Sequence, residues 1–235
     1  MTPIAPQPKQ KSTLFRVHIL GAESTGKTTL LSALEQRLQA HKSAVTSVPE
    51  TLRDWVAQHG RTPRMEEQLS LARAQERAIA QACLRQSHGA GAIHWVLADT
   101  SPMMTAAYSA HYFGDQGLWD LAASFESTAD LRLLMGLDLP WQADEGQRDG
   151  PRHQQAVDVL LRDEMQRRHL PFVVIYGQDE QRTQAAWRAI QAALKARQSN
   201  AKAEHALTRK HWRAACECCA DPECELALFN QALGQ

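Results

Sequence analysis

Five short apolar runs recur along the chain, at 15–20, 44–48, 93–98, 131–135 and 172–176. Each is too short for a helix and rich in Val, Ile, Leu and Phe, which predicts buried strands. Between them, apolar residues return every three or four positions, as a helix with one buried face requires. Leu30, Leu31, Leu34 and Leu38 share such a face. A second helix is predicted over 65–86, with Leu69, Ala72, Ile79 and Cys83 inward, and helical character covers 103–128. Val157, Leu160, Leu161 and Met165 mark a helix over 154–169, and Trp187, Ile190 and Leu194 mark a last one. Strands alternating with helices give an α/β fold, a parallel sheet of about five strands covered on both faces.

The ends read differently. Residues 1–12 carry Pro3, Pro6 and Pro8 without periodicity, as a flexible arm does, so the domain is expected over 13–197. Residues 198–204 turn small and polar, like a linker, before a short Cys-rich tail that reaches residue 235.

Length and composition then narrow the class. The 235 residues, 43% hydrophobic and 22% charged, suit one α/β domain and exclude a disordered or fibrous chain. Lys+Arg 26 balances Asp+Glu 26, so nothing in the overall charge indicates a nucleic-acid partner. No apolar run approaches the ~20 residues of a membrane span. The first ten residues lack the apolar core of a secretory signal, and the expected location is the cytoplasm.

Directly after the first strand stands Gly21-Ala22-Glu23-Ser24-Thr25-Gly26-Lys27-Thr28, a complete G-x-x-x-x-G-K-[ST] phosphate loop. Its glycines let successive N–H groups turn toward one anion, and the following helix, opening through Thr29, adds its partial positive end. Lys27 is expected to bridge the β- and γ-phosphates of ATP, and Thr28 to place its hydroxyl on Mg²⁺. Strand before and amphipathic helix after are the context that makes the motif specific.

Asp99 ends the third apolar run, where a carboxylate either serves Mg²⁺ and the reacting hydroxyl or caps the helix beyond Pro102. Thr100 beside it offers a further hydroxyl. Residues 144–152, with Gly146, Gly150, Arg148 and Arg152, fit a basic lid that closes over phosphates, or a solvated loop. Glu50 and Arg53 follow the second strand, suited to an acceptor's hydroxyl and phosphate or to a surface ion pair. Tyr108, Tyr112, Phe113 and Trp119 form the densest aromatic cluster, fit to stack on a base or to fill the core. The GTPase signature Asn-Lys-x-Asp is absent.

With these residues in view, the segment from Phe15 through the loop to Leu30 resembles the phosphate loop of the NadR-type nicotinamide riboside kinases, grouped with AAA-domain NadR-like ATPases. Glu23 and Ser24 narrow the resemblance. Pro49-Glu-Thr-Leu-Arg53 is similar to the family's Glu/Arg segment. Ala98-Asp-Thr-Ser-Pro102 is similar to its Asp-Thr, and Leu139-Pro-Trp141 with Asp144, Gly146 and Arg148 to its lid. The resemblance runs over about 15–195. It implies a P-loop kinase fold and ATP-dependent phosphorylation of the 5′-hydroxyl of nicotinamide riboside, with Asp99 orienting or deprotonating that hydroxyl. The sequence departs from the bifunctional members in lacking the His-x-x-His of nucleotidyl transfer.

Of the 5 cysteines, Cys216, Cys218, Cys219 and Cys224 crowd the tail, unlike a disulfide framework. Cys216, Cys219 and Cys224 with His211 supply soft ligands for Zn²⁺, although reduced thiols packed near Trp212 fit the same spacing. Two functions follow. One is a kinase acting on a small-molecule nucleoside acceptor. The other is an ATP-binding regulatory module whose Cys-rich tail contacts a partner.

Overall fold

Each apolar run becomes a strand: β1 Thr13–Leu20, β2 Ala44–Val48, β3 Ile93–Asp99, β4 Leu131–Met135 and β5 Val173–Ile175. The computed structural model describes residues 13–85, 92–141 and 150–214, with Thr13 and 200–214 described by backbone alone. All neighbouring strands are parallel, in the order β2-β3-β1-β4-β5. The connection after β3 crosses β1 to reach β4, so the strand order reverses at β1. A crevice therefore opens at the carboxyl end of β1, where open α/β sheets bind ligands. Ile19 pairs with Asp99 on one side and Leu133 on the other, which sets β3's terminal carboxylate beside the loop that follows β1.

The helices are α1 Lys27–Ala40, α2 Thr51–His59, α3 Gln68–Cys83, α4 Pro102–Phe113, α5 Trp119–Glu126, α6 Pro151–Arg167 and α7 Asp179–Ala214. Leu30, Leu34 and Leu38 of α1 are buried, and α1 packs on β1 and β3. On the opposite face α4 packs against α3, α5 and α6, and Met103, Met104, Trp119, Leu161 and Met165 join one core with Leu20 and Leu134. Trp187 of α7 lies 4.9 Å from the Arg37 guanidinium and 5.4 Å from the His41 ring at the end of α1.

Several boundaries differ from the sequence expectation. The pattern shows no helix between 49 and 64, yet α2 forms there, because it buries only Val56 and leaves no stripe to read. The region 103–128 breaks in two at Gly114, whose φ of +68° ends α4. Residues 65–67 form a 3₁₀ turn, and Leu69 faces outward; the buried stripe of α3 runs through Gln68, Leu71, Ala72, Gln75 and Ile79. Pro151, at the first position of α6, starts that helix three residues early. Residues 198–204 are helical, within α7. The chain divides into a unit ending at Ile190 and a second from Gln191, whose described part is the rest of that helix.

Under the sheet's carboxyl end lies a buried polar network. Glu126, the last residue of α5, receives the Ser101 hydroxyl and sits 3.0 Å from His18 Nδ1 of β1. Arg132 of β4 lies 3.4 Å from the same carboxylate and donates to the Glu126 and Pro171 carbonyls. Ser101 in turn caps α4 through the Met103 N–H. Strands β1 and β4 and helices α4 and α5 thus meet on one carboxylate. Burial pushes the Glu126 carboxyl up, but His18, the Ser101 hydroxyl and Arg132 outweigh it and hold it below the usual carboxylate range.

A folded-state value below the unfolded one means stability that is complete above pH ~4.5 and is lost as acid protonates the native carboxylate. Glu126→Ala, which strands a buried cation, is expected to cost about 3–5 kcal/mol in urea unfolding at neutral pH. Glu126→Gln should flatten the decline of stability on the acid side.

Candidate active site

The loop between β1 and α1 is shaped by left-handed backbone. Gly21, at φ +147°, lies so close to β4 that a Cβ there would stand 2.8 Å from Met135 Cβ. Ser24 and Gly26 adopt φ +56° and +78°. α1 begins at Lys27, with no side-chain cap and no acidic residue in its first turn. Its opening N–H groups are therefore left for an external anion. Inside the loop, Thr25 Oγ1 donates to the Ala22 carbonyl at 2.7 Å and Lys27 Nζ to the same carbonyl at 2.9 Å.

Lys27 is the meeting point of the site. Burial pushes its ammonium down, Glu50 and Asp99 pull it back up, Arg53 lowers it and Glu23 raises it. Those charges come from three separate segments: the phosphate loop, the start of α2 and the end of β3. Thr28 Oγ1 donates to Asp99 Oδ2 at 2.5 Å, while Asp99 Oδ1 is buried with no hydrogen-bond partner. Thr100, at φ +75°, turns the chain away just beyond, its N–H on the Ile19 carbonyl. Asp99 does not cap α4; Ser101 does.

Glu50 and Arg53 are paired at 2.9 Å, and the Glu50 side chain is only 11% exposed. Tyr108 is buried in the core, and its ring lies 6.2 Å from that of the exposed Tyr112. Tyr112 also stacks at 5.9 Å on His153, which bonds His111 at 2.8 Å. Arg152 stands exposed in the first turn of α6. Arg148 lies outside the described residues, as do Cys216, Cys219, Cys224 and the His211 side chain. Among the described residues, no group of three or more His, Cys, Asp or Glu could hold a metal, and no helix is long and apolar enough to cross a membrane.

Three props escape a reading by motif. Gln154 of α6 donates to the Glu23 carbonyl at 2.7 Å. Buried Arg182 of α7 donates to the Gly177 and Thr25 carbonyls at 2.7 and 2.6 Å and pairs with Asp138. Gln75 of α3 brackets Glu50, accepting from Thr51 N at 2.8 Å and donating to the Pro49 carbonyl at 3.3 Å. Each is a polar residue on an otherwise buried helical stripe, and that is the signal by which it could be found. Arg182→Gln breaks a largely buried pair and frees two carbonyls; a loss of about 3 kcal/mol is expected in urea unfolding.

Comparison with known proteins agrees with this geometry. The model of the AAA domain family termed AAA_28 matches residues 16–182. A structure of NadR with NAD and AMP-PNP superposes with a TM-score of 0.57 at 20% identity, covering 77% of this chain and 49% of that one. A structure of NadR with NR gives 0.53 at 20% identity over the same shares. The chain thus spans about half the length of these structures. No curated protein sequence matches it. That family match covers the phosphate loop and Asp99 and runs through all five strands from β1 to β5: the chain belongs to the AAA_28 family of AAA domains, with the P-loop fold seen in NadR.

Proposed function

We propose that this protein is an ATP-dependent kinase that transfers the γ-phosphoryl group to a small nucleoside-type acceptor, foremost the 5′-hydroxyl of nicotinamide riboside. The observation that carries the reading is the convergence on Lys27. A phosphate-loop lysine feels both Asp99, which is bonded to Thr28, and the Glu50–Arg53 pair. A hydrolase needs only the first half of that arrangement. NadR structures holding AMP-PNP and NR support the choice of donor and acceptor.

In this reading the amides of Gly21 to Thr29 cradle the phosphates. Lys27 exchanges the Ala22 carbonyl for phosphate oxygens, its charge maintained by the two carboxylates against burial. The donor set fits Mg²⁺: Thr28 Oγ1 and the unpartnered Asp99 Oδ1 are hard oxygens at one spot. When bound there, the ion neutralises charge across the β- and γ-phosphates. Arg53 pairs with acceptor or phosphate oxygens, and Tyr112, steadied by Tyr108 and His153, offers its face to the acceptor's base. Arg152, in the first turn of α6 beside the Gln154 that bonds the loop, brings positive charge to the transferring group, the role the sequence also suggests for Arg148.

The test is product analysis by mass after incubation with Mg-ATP and a nucleoside panel that includes nicotinamide riboside. The expected product is nicotinamide mononucleotide, with Lys27→Ala lowering its formation by about 10²–10³-fold. ATP consumption that leaves every nucleoside unmodified would overturn the kinase reading in favour of a regulatory ATPase.

A further inference from the structure

The two carboxylates beside Lys27 are held in different ways. Asp99 is 2% exposed: Oδ2 is bonded to Thr28, and Oδ1, buried without a hydrogen-bond partner, is the oxygen that would hold Mg²⁺ in the reading above. A carboxylate whose oxygens serve a hydroxyl donor and a cation has none left for an incoming proton.

Glu50 reaches the site from the neighbouring strand. Val48 pairs with Ala98, so 49–50 leaves the sheet alongside 99–100. Glu50 occupies the N-cap of α2, at φ −69° and ψ 112°, yet its side chain makes no cap bond. An oxygen-bearing side chain at that position commonly accepts from the first turn of its own helix. Here it turns to Arg53 and the surroundings of Lys27 instead. The backbone is fixed to make this so. Gln75, 2% exposed, uses both ends of its amide on the residues immediately before and after Glu50. A buried amide spent on one turn is a costly feature unless that turn must be held.

We propose that Glu50 is the proton acceptor for the incoming hydroxyl and Gln75 its positioning residue, with Asp99 confined to the metal side. This rests on the kinase reading above. In the step, the acceptor O–H proton passes to the Glu50 carboxylate and the hydroxyl oxygen forms the new bond to γ-phosphorus. The bond from γ-phosphorus to the β–γ bridging oxygen breaks, and ADP leaves with that electron pair.

The experiment compares acceptor phosphorylation and Mg-ATP affinity in the intact protein, Glu50→Gln, Glu50→Asp, Gln75→Met and the Glu50→Gln/Gln75→Met double variant. Glu50→Gln is expected to lower kcat by about 10²–10⁴-fold, while Mg-ATP affinity falls by less than about tenfold through the charge lost beside Lys27. Glu50→Asp should restore part of that rate. Gln75→Met should lower kcat about tenfold in the intact background and less than twofold in Glu50→Gln, because a positioning residue has nothing left to position. A merely structural glutamine would cost the same in both. Transfer by Glu50→Gln within threefold of the intact protein, or loss of Mg-ATP binding in step with transfer, overturns the proposal and leaves the kinase reading intact. An intact protein that transfers to no acceptor overturns both.

Discussion

A cation inside a loop is the constraint around which this molecule is arranged. Lys27 is 6% exposed, and burying an ammonium in protein is unfavourable unless opposite charge and hydrogen bonds surround it. The Ala22 carbonyl supplies one bond, and Glu50 and Asp99 supply charge. Neither carboxylate is near Lys27 in sequence. Both arrive there because β3, next to β1, and β2, next to β3, end at the same level. The strand order 2-3-1-4-5 is therefore more than a way to cover apolar runs: it delivers two anions to one lysine.

Holding those ends requires further polar groups underneath. Gln75 ties down the end of β2, the Glu126 network ties Ser101 and hence the turn after Asp99, Gln154 supports Glu23, and Arg182 supports Thr25. Ser24, held in left-handed backbone within the phosphate loop, stores strain on the order of 1–3 kcal/mol. The surrounding bonds are what keep it in that shape. Glu126 shows how the support is shared, since the same carboxylate also binds strands β1 and β4 through His18 and Arg132.

Much of this was legible in the sequence. Five apolar runs became five strands, and the Gly21–Thr28 motif formed a phosphate loop because strand and helix flank it. Asp99, singled out at its strand end, is bonded to Thr28. What stayed hidden followed a pattern. Helix α2 buries one residue, too few for periodicity to register, and the break at Gly114 is a short polar turn, Gly114 to Gly117, between two apolar stretches of helical spacing. Gln75, Arg182 and Glu126 are single polar residues whose partners lie in distant segments, and local propensity carries no information about such partners. Leu69 illustrates the complement: its residue type suggested the core, while the helix phase set by Leu71, Gln75 and Ile79 turned it outward.

The central claim is that the loop, closed now on its own Ala22 carbonyl, exchanges that bond for phosphate while the two carboxylates keep separate duties. A crystal structure with Mg²⁺ and AMP-PNP tests it most directly. The account predicts Lys27 Nζ on the β- and γ-phosphate oxygens, Thr28 and Asp99 on the metal side, and Glu50 facing the γ-phosphate from the acceptor side. Nucleotide bound with Lys27 still on the Ala22 carbonyl, or Glu50 turned out to solvent, would contradict it.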